Sequence, residues 1–307
     1  EEVCSIAKSY GDSDFDDVLV SNLSGGIRID PLYTKDSLPS EPNSSESGPS
    51  SNLGAGRRSS NISGILNGWE IRQRHWLANP KKTNQLILSD LERGVSSVEL
   101  IVGEVQEEDL EVALSGVLME VAAVAPVGPG DNVETARSFL SFATASDVGS
   151  GELLADLSCD PIGQLAFRGG IKGGIEEALG KVGDLATDVS KEYQHVTTAR
   201  IDGTPYAEAG ADSVTELAAI VSTGIAYVRA LSDAGLDIED AFRQILTVVS
   251  VGSDQFLDIA KIRALREIWR YVGESCGVEE VPARIQATTS LSIITEVDPW
   301  VNILRTT

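Results

Sequence analysis

The sequence predicts an α/β fold, a succession of βαβ units in a parallel sheet or barrel, preceded by an N-terminal extension. Three observations predict it. Short β-type runs alternate with amphipathic helical segments from about residue 79 to residue 290. At 42% hydrophobic and 23% charged, the composition is that of a chain able to bury a core. The length of 307 residues fits one large α/β domain or two ordinary ones.

The elements follow in order. Residues 1–38 are mixed and carry an acidic stretch, Asp12-Ser13-Asp14-Phe15-Asp16-Asp17, which fails as a calcium loop because Asp17 stands where a glycine is needed and Leu23 where a glutamate is. Residues 39–63 collapse into Ser, Asn, Pro and Gly and bury too little apolar surface to order themselves, so 39–67 reads as a loop or linker. Order resumes at Gly68-Trp69-Glu70-Ile71. Asn79-Pro80 opens a helix to about residue 91, stopped by Gly94. Strands are expected at 97–102, 118–124, 153–158, 195–201, 245–251 and 285–290. Helices are expected at 134–144, 174–192, 213–234 and 254–274, the last with Phe256, Ile259, Ile262, Leu265, Trp269 and Val272 along one side. Six strands cannot close an eight-stranded barrel, so if the fold is a barrel its last two units are expected beyond residue 307.

Charge narrows the function. With 24 Lys+Arg against 47 Asp+Glu the net charge is −23, and a field of that sign repels nucleic acid and anionic membrane surfaces. No apolar run reaches the ~18 residues of a membrane span, and the N-terminus carries no basic-then-apolar signal. Cys4, Cys159 and Cys276 are odd in number and far apart, which suits a reducing compartment, and a cytoplasmic location is expected. Met119 is the only methionine, so the sequence lacks a start residue.

Chemical motifs are sparse. Gly54-Ala55-Gly56 lacks the third glycine of a dinucleotide fingerprint, and Gly169-Gly170-Ile171-Lys172-Gly173-Gly174 reads as a glycine-rich β-to-α connection rather than an anion-binding loop. Two histidines, His75 and His195, cannot build a multi-histidine metal centre, and no C-x-x-C spacing occurs. No Gly-x-Ser-x-Gly elbow is present. The sequons at Asn43 and Asn61 carry no meaning in the cytosol. Residue types alone assign no catalytic, cofactor-binding or metal-ligating side chain.

Five stretches, in order across roughly residues 25–307, resemble one family. They are Ile29-Asp30-Pro31-Leu32-Tyr33-Thr34; Gly68-Trp69-Glu70-Ile71-Arg72-Gln73-Arg74; Glu208-Ala209-Gly210-Ala211; Val251-Gly252-Ser253-Asp254-Gln255-Phe256-Leu257-Asp258-Ile259-Ala260-Lys261-Ile262-Arg263-Ala264; and Asp298-Pro299-Trp300 through Asn302 to Arg305-Thr306-Thr307. The family is the adenosylcobalamin-dependent acyl-CoA mutases, and the resemblance implies a TIM barrel that in catalytic members holds acyl-CoA along its axis beneath cobalamin.

The departures point to a chain that keeps the barrel and loses the chemistry. The His that polarises the thioester carbonyl in catalytic members falls on Pro205, and the Tyr-bearing segment ahead of the Trp is replaced by Ser51-Asn52-Leu53-Gly54-Ala55-Gly56, with no Tyr between Tyr33 and Tyr193. A His-x-Gln-Thr-Ser-Gly segment corresponds to Gln286-Ala287-Thr288-Thr289-Ser290-Leu291. Each lost donor is worth roughly 10²-fold in rate by comparison with oxyanion-type donors elsewhere. The Asp-x-His-x-x-Gly cobalamin signature fits neither histidine, since Gln73 and Tyr193 stand two residues before them. This pattern resembles the noncatalytic small subunit of the bacterial heterodimer. It implies a homologous catalytic large subunit as partner, with adenosylcobalamin and acyl-CoA bound by that partner, and residues 1–38 as an arm contacting it. The relic substrate-side positions are Tyr206, Glu208, Gln286 and Thr288. The competing readings are a competent mutase in which Tyr206 and Glu208 replace the missing donors, and an unrelated TIM-barrel lyase. Trp69 and Trp269 are expected as core or interface anchors, Arg263 and Arg305 in structural salt bridges, and Gly203 and Gly210 in tight β-to-α turns. Glu208 is expected just after a strand, as a helix-starting carboxylate.

Overall fold

A computed structural model describes residues 19–37, 69–103, 107–146, 148–279, 281 and 283–306. A small antiparallel hairpin, β1 (Ser21–Leu23) and β2 (Ile27–Ile29), comes first. The main body runs β3 (Arg72–Trp76), α1 (Pro80–Glu92), β4 (Ser97–Ile101), α2 (Glu107–Leu114), β5 (Ala123–Val127), α3 (Val133–Ala145), β6 (Ala155–Cys159), α4 (Pro161–Arg168) and α5 (Ile175–Glu192). It continues with β7 (Val196–Asp202), α6 (Thr204–Glu208), α7 (Ser213–Asp233), α8 (Ile238–Arg243), β8 (Ile245–Val251), α9 (Gln255–Ser275), β9 (Ile285–Thr289) and α10 (Pro299–Thr306).

The seven strands β3 to β9 form one parallel sheet in sequence order. Such a run of right-handed βαβ units curls into a barrel wall, here a TIM barrel wall with its helices outside. The helix starts are written in side chains. Asn79 Oδ1 accepts from the Lys82 N–H with Pro80 in the first turn, and Asp212 and Asp254 accept in the same way from Thr215 and Leu257.

The apolar core lies between the strands' outer faces and the helices, with Val98, Leu100, Leu157, Ile201, Phe139 and Tyr227 fully enclosed. Trp269 meets Phe242 edge-on with ring centroids 5.2 Å apart, and it lies so close over α7 that a Cβ on Gly224 would sit 2.5 Å from its ring. Helix α7 is long and apolar enough by composition to cross a membrane, but Leu217, Ile220, Tyr227, Val228 and Leu231 are buried in this core. At the other end of the chain, Gly25 turns the hairpin at φ +81° against Val214, which a Cβ would approach to 2.6 Å, so the hairpin leans on the start of α7.

The α/β class and the barrel are as expected, but among the described residues the parallel sheet has seven strands, not six. The missing one was β3, whose sequence Arg-Gln-Arg-His-Trp carries no apolar alternation because two of its side chains serve the polar interior described below. The strand expected at 118–124 lies at Ala123–Val127 instead. Leu118 and Val121, which suggested it, sit exposed on the approach, and Pro126 is tolerated within the strand. The glycine run 169–174 joins α4 to α5 rather than a strand to a helix, with Gly169, Gly173 and Gly174 all at positive φ. Along α9, Leu265 and Trp269 are buried, whereas Phe256 and Ile259 lie exposed.

Candidate functional site in the barrel lumen

Strand positions of one parity point away from the helices, and on four strands these positions carry charge. Arg200 of β7 donates through Nη1 to Glu99 Oε1 of β4 at 2.6 Å, and through Nη2 to Asp202 at 3.1 Å. Glu99 Oε2 accepts from Arg74 Nε of β3 at 2.9 Å. Arg72 of β3 reaches three other strands: Nε donates to Ser97 Oγ at 2.8 Å, Nη1 to Gln286 Oε1 of β9 at 2.9 Å, and Nη2 to Asp156 of β6. Thr197 Oγ1 donates to the other oxygen of Asp156. None of the pairs β3–β6, β4–β7 and β3–β9 is adjacent in the sheet, so these side chains meet across its concave face. A guanidinium cannot shed its proton, so burying Arg200 and Arg72 demands carboxylate partners. Burial would push the Glu99 carboxyl up, but the Arg200 and Arg74 guanidiniums outweigh it and hold the group at about 2.

The C-terminal rim is equally tied. Asp160, just past β6, accepts from the Tyr227 hydroxyl, the Gly163 N–H at 2.9 Å and the Asp202 N–H at 3.0 Å. Burial dominates there and raises its carboxyl to about 6, against the lowering hydrogen bond from Tyr227. Two non-glycine residues adopt left-handed backbone at this rim: Ser158 at φ +56° and Asn132 at φ +66°. Asn132 is held by donating to the Pro126 and Leu157 carbonyls, which clamps β5 to β6.

The four relic positions come together only in part. Gln286 and Thr288 share the lumen side of β9, with Gln286 Nε2 donating to Thr288 Oγ1 at 3.3 Å while its oxygen takes Arg72. Glu208 ends the short helix α6 rather than starting one. Its Oε1 accepts from Ser290 Oγ at 2.9 Å and the Leu291 N–H at 2.8 Å, fastening α6 to the end of β9. Tyr206 is half-buried in α6. Pro205 stands in the first turn of α6, offering no side-chain donor where that helix faces the rim. Gly203 is required by space, since a Cβ would lie 2.7 Å from Ile220 and 3.0 Å from the Val248 carbonyl, and Gly210 by conformation at φ +98°.

Other expectations fare unevenly. Trp269 is a core anchor, whereas Trp69 lies 65% exposed ahead of β3. Among the described residues, Arg263 and Arg305 do not form the salt bridges expected of them. Arg263 is exposed and pairs with no carboxylate among the described residues, and Arg305 donates to the Ile293 carbonyl at 2.8 Å. Cys159 is buried with its thiol pushed strongly up by burial, Cys276 is exposed, and Cys4 lies outside the described residues, as do Asp12 to Asp17.

The residues present do not fit a cobalamin site. His75 is buried on the outer face of β3, 3.4 Å from Asp90 of α1, with burial lowering its basicity. His195 precedes β7, at the opposite end of the strands from the rim. Neither imidazole reaches the mouth of the barrel.

The methylmalonyl-CoA mutase family pattern matches residues 102–307. This chain belongs to the methylmalonyl-CoA mutase family. Its relatives include the methylmalonyl-CoA mutase small subunit of Streptomyces virginiae, 40% identical over 243 residues covering 78% of this chain and 39% of that protein. The small subunit from Propionibacterium freudenreichii subsp. shermanii is 38% identical over 246 residues, 79% of this chain and 38% of that one. The methylmalonyl-CoA mutase of Rhizobium meliloti is 25% identical over 325 residues, 94% of this chain and 44% of that protein. The chain thus spans about 39% of the length of the small subunits it matches. Relatives named small subunit run at 34–40% identity, and three mutases without that qualifier at 23–26%, so within the family this chain is most similar to small subunits.

The lumen network was the part that sequence reasoning missed. Its signal was present as charges inside otherwise apolar strand runs, Glu99 in Ser-Val-Glu-Leu-Ile and Arg200 in Val-Thr-Thr-Ala-Arg-Ile-Asp. Charge within a strand buried on both faces requires a partner on the same face.

Proposed function

We propose that this chain is the noncatalytic, supporting small subunit of an adenosylcobalamin-dependent methylmalonyl-CoA mutase. Its partner is a homologous catalytic large subunit that interconverts methylmalonyl-CoA and succinyl-CoA by radical carbon-skeleton rearrangement. That partner holds the cofactor and the acyl-CoA, and the setting is the cytoplasm. The observation that carries the reading is the filled lumen: Arg200, Glu99, Arg72 and Asp156 meet across the space where a catalytic member would thread its acyl-CoA. The proline at position 205 and the engagement of Gln286 and Glu208 in structural hydrogen bonds support it. In the same reading 68–307 is the barrel domain, 39–67 a linker, and 1–38 the arm that contacts the partner. Exposed Ile27, Ile29, Leu32 and Tyr33 on the described part of that arm support the last assignment.

The test is a mutase assay with adenosylcobalamin and methylmalonyl-CoA, on the full-length chain alone and then with its co-purifying partner. Turnover only with the partner is expected; turnover by the chain alone overturns the reading in favour of a competent mutase. In the assembled enzyme Tyr206→Phe is expected to leave kcat and KM unchanged. A loss of tenfold or more in kcat, about 1.4 kcal/mol, would place its hydroxyl at the reacting centre after all.

A further inference from the structure

A groove of about 380 Å³ opens at the N-terminal end of the strands, opposite the C-terminal rim, where α2 and α3 both finish and the chain turns into β5 and β6. Its floor is apolar: Leu114, Val117, Met119 and Phe142 line it and each is buried, while Leu118, which also lines it, stands 60% exposed. Its rim is acidic, with Glu111 of α2, Glu120 ahead of β5 and Glu152 ahead of β6. None of the three pairs with a cation among the described residues. The sequence explains why. Between Arg93 and Arg168 it holds thirteen Asp and Glu but one basic residue, Arg137, and Arg137 Nη2 is turned to Asp188 of α5 at 3.6 Å. The backbone adds charge of the same sign. Helices α2 and α3 direct their C-terminal ends, the negative ends of their dipoles, at the groove, and neither carries a basic residue in its last turn.

An apolar floor takes aliphatic carbon, and a rim of carboxylates beside two negative helix ends favours positive charge next to it. An inorganic cation would use the rim and leave the floor wet; an uncharged apolar segment would use the floor and leave the rim unpaired. We propose that this groove docks a further partner protein through a basic, apolar segment, with a leucine or similar side chain on the floor between lysines or arginines that meet Glu111, Glu120 and Glu152. The buried anchor supplies the affinity, and the charge complementarity selects the partner and speeds its encounter. The groove is separate from the other surfaces named above: the hairpin leans on the start of α7, and the relic positions lie towards the opposite end of the strands, so its occupant leaves both free.

Fluorescence anisotropy of the labelled peptide Lys-Leu-Lys-Ala-Leu-Lys with the full-length protein tests it. Saturable one-to-one binding is expected, weakened about tenfold or more between about 0.05 and 0.5 M salt as the rim is screened. Replacing both leucines of the peptide by serine is expected to cost about tenfold or more, and spermidine, which brings charge without the anchor, to bind more weakly than the peptide by a similar factor. A net charge of −23 attracts any cationic peptide, so two triple variants separate the groove from the overall field. Glu111→Gln with Glu120→Gln and Glu152→Gln is expected to weaken binding about tenfold or more. Asp233→Asn with Asp237→Asn and Glu239→Gln removes as much charge around the start of α8 and is expected to weaken it about twofold or less. All six carboxylates are exposed or half-buried, so both variants keep the fold. Equal losses in the two variants would overturn the proposal, leaving only attraction to the protein's overall charge. So would spermidine binding as tightly as the peptide, which would make the groove a small-cation site, and so would the absence of saturable peptide binding.

Discussion

Replacing Glu99 by leucine is expected to destabilise the fold by about 3–5 kcal/mol, because it strands a permanently charged guanidinium inside the barrel. Arg200 is 4% exposed, and Glu99 is its partner from the opposite wall. Asp202 alone would remain to it, at 3.1 Å and nearer the rim. Removing both members, as Glu99→Leu with Arg200→Met, is expected to return most of the lost stability, since two apolar side chains of similar volume need no solvation. Urea unfolding of the two single variants and the double variant measures the coupling; single variants within about 1 kcal/mol of the parent would mean that the pair is solvated and the lumen open. The pH dependence gives a second reading of the same contact. Glu99 titrates at about 2 in the fold against an ordinary value of 4.5, so its contribution is complete above about 4.5 and is lost as the pH falls towards 2. That loss amounts to about 3 kcal/mol in the parent and is absent from Glu99→Leu, whose acid limb is correspondingly flatter.

The same residues explain how far the fold and the site were legible from sequence. Helices with a long apolar stripe, such as α5, or with a side-chain cap, such as α1, α7 and α9, were placed to within a residue or so, because cap and periodicity are local signals. So was β8, whose Ile-Leu-Thr-Val-Val-Ser-Val run is buried on both faces. Strand β3 was invisible for the reason that makes it interesting: Arg72 and Arg74 point into the lumen, and only the tertiary fold supplies their carboxylates. The short helices α2, α4, α6 and α8 have eight residues or fewer, too little for periodicity to register. At the site, the family resemblance singled out Tyr206, Glu208, Gln286 and Thr288, which lie on α6 and β9. It did not reveal that Glu208 and Gln286 are committed to other protein groups, since the partners Leu291 and Arg72 lie 83 and 214 residues away along the chain.

Asp160 is expected to produce a limb of opposite sign. It is held by three donors from three places: the Tyr227 hydroxyl on α7, the Gly163 N–H on α4 and the Asp202 N–H at the end of β7. Asp160→Ala leaves all three without their acceptor in a buried setting, at ~1–3 kcal/mol each, so a loss of about 3 kcal/mol or more is expected. Tyr227→Phe removes one donor and is expected to cost about 1–2 kcal/mol. It also drives the carboxyl further up, because the tyrosine's hydrogen bond is the strongest influence opposing burial. With its pKa raised to about 6 from an ordinary 3.8, the folded protein keeps a proton that the unfolded chain has already released. Stability attributable to this group is therefore complete below about 3.8 and falls away as the pH rises through about 6, whereas the Glu99 contribution is lost as the pH falls. Unfolding free energies of parent and Asp160→Asn, measured from pH 3.5 to pH 7.5 and subtracted, isolate the limb: the difference is expected to slope between about 4 and 6 and to flatten above it. A difference that stays level across that window would show the carboxylate ionised in the fold. The rim would then be held by a charge, and the hydrogen bonds from Tyr227, Gly163 and Asp202 would outweigh its desolvation.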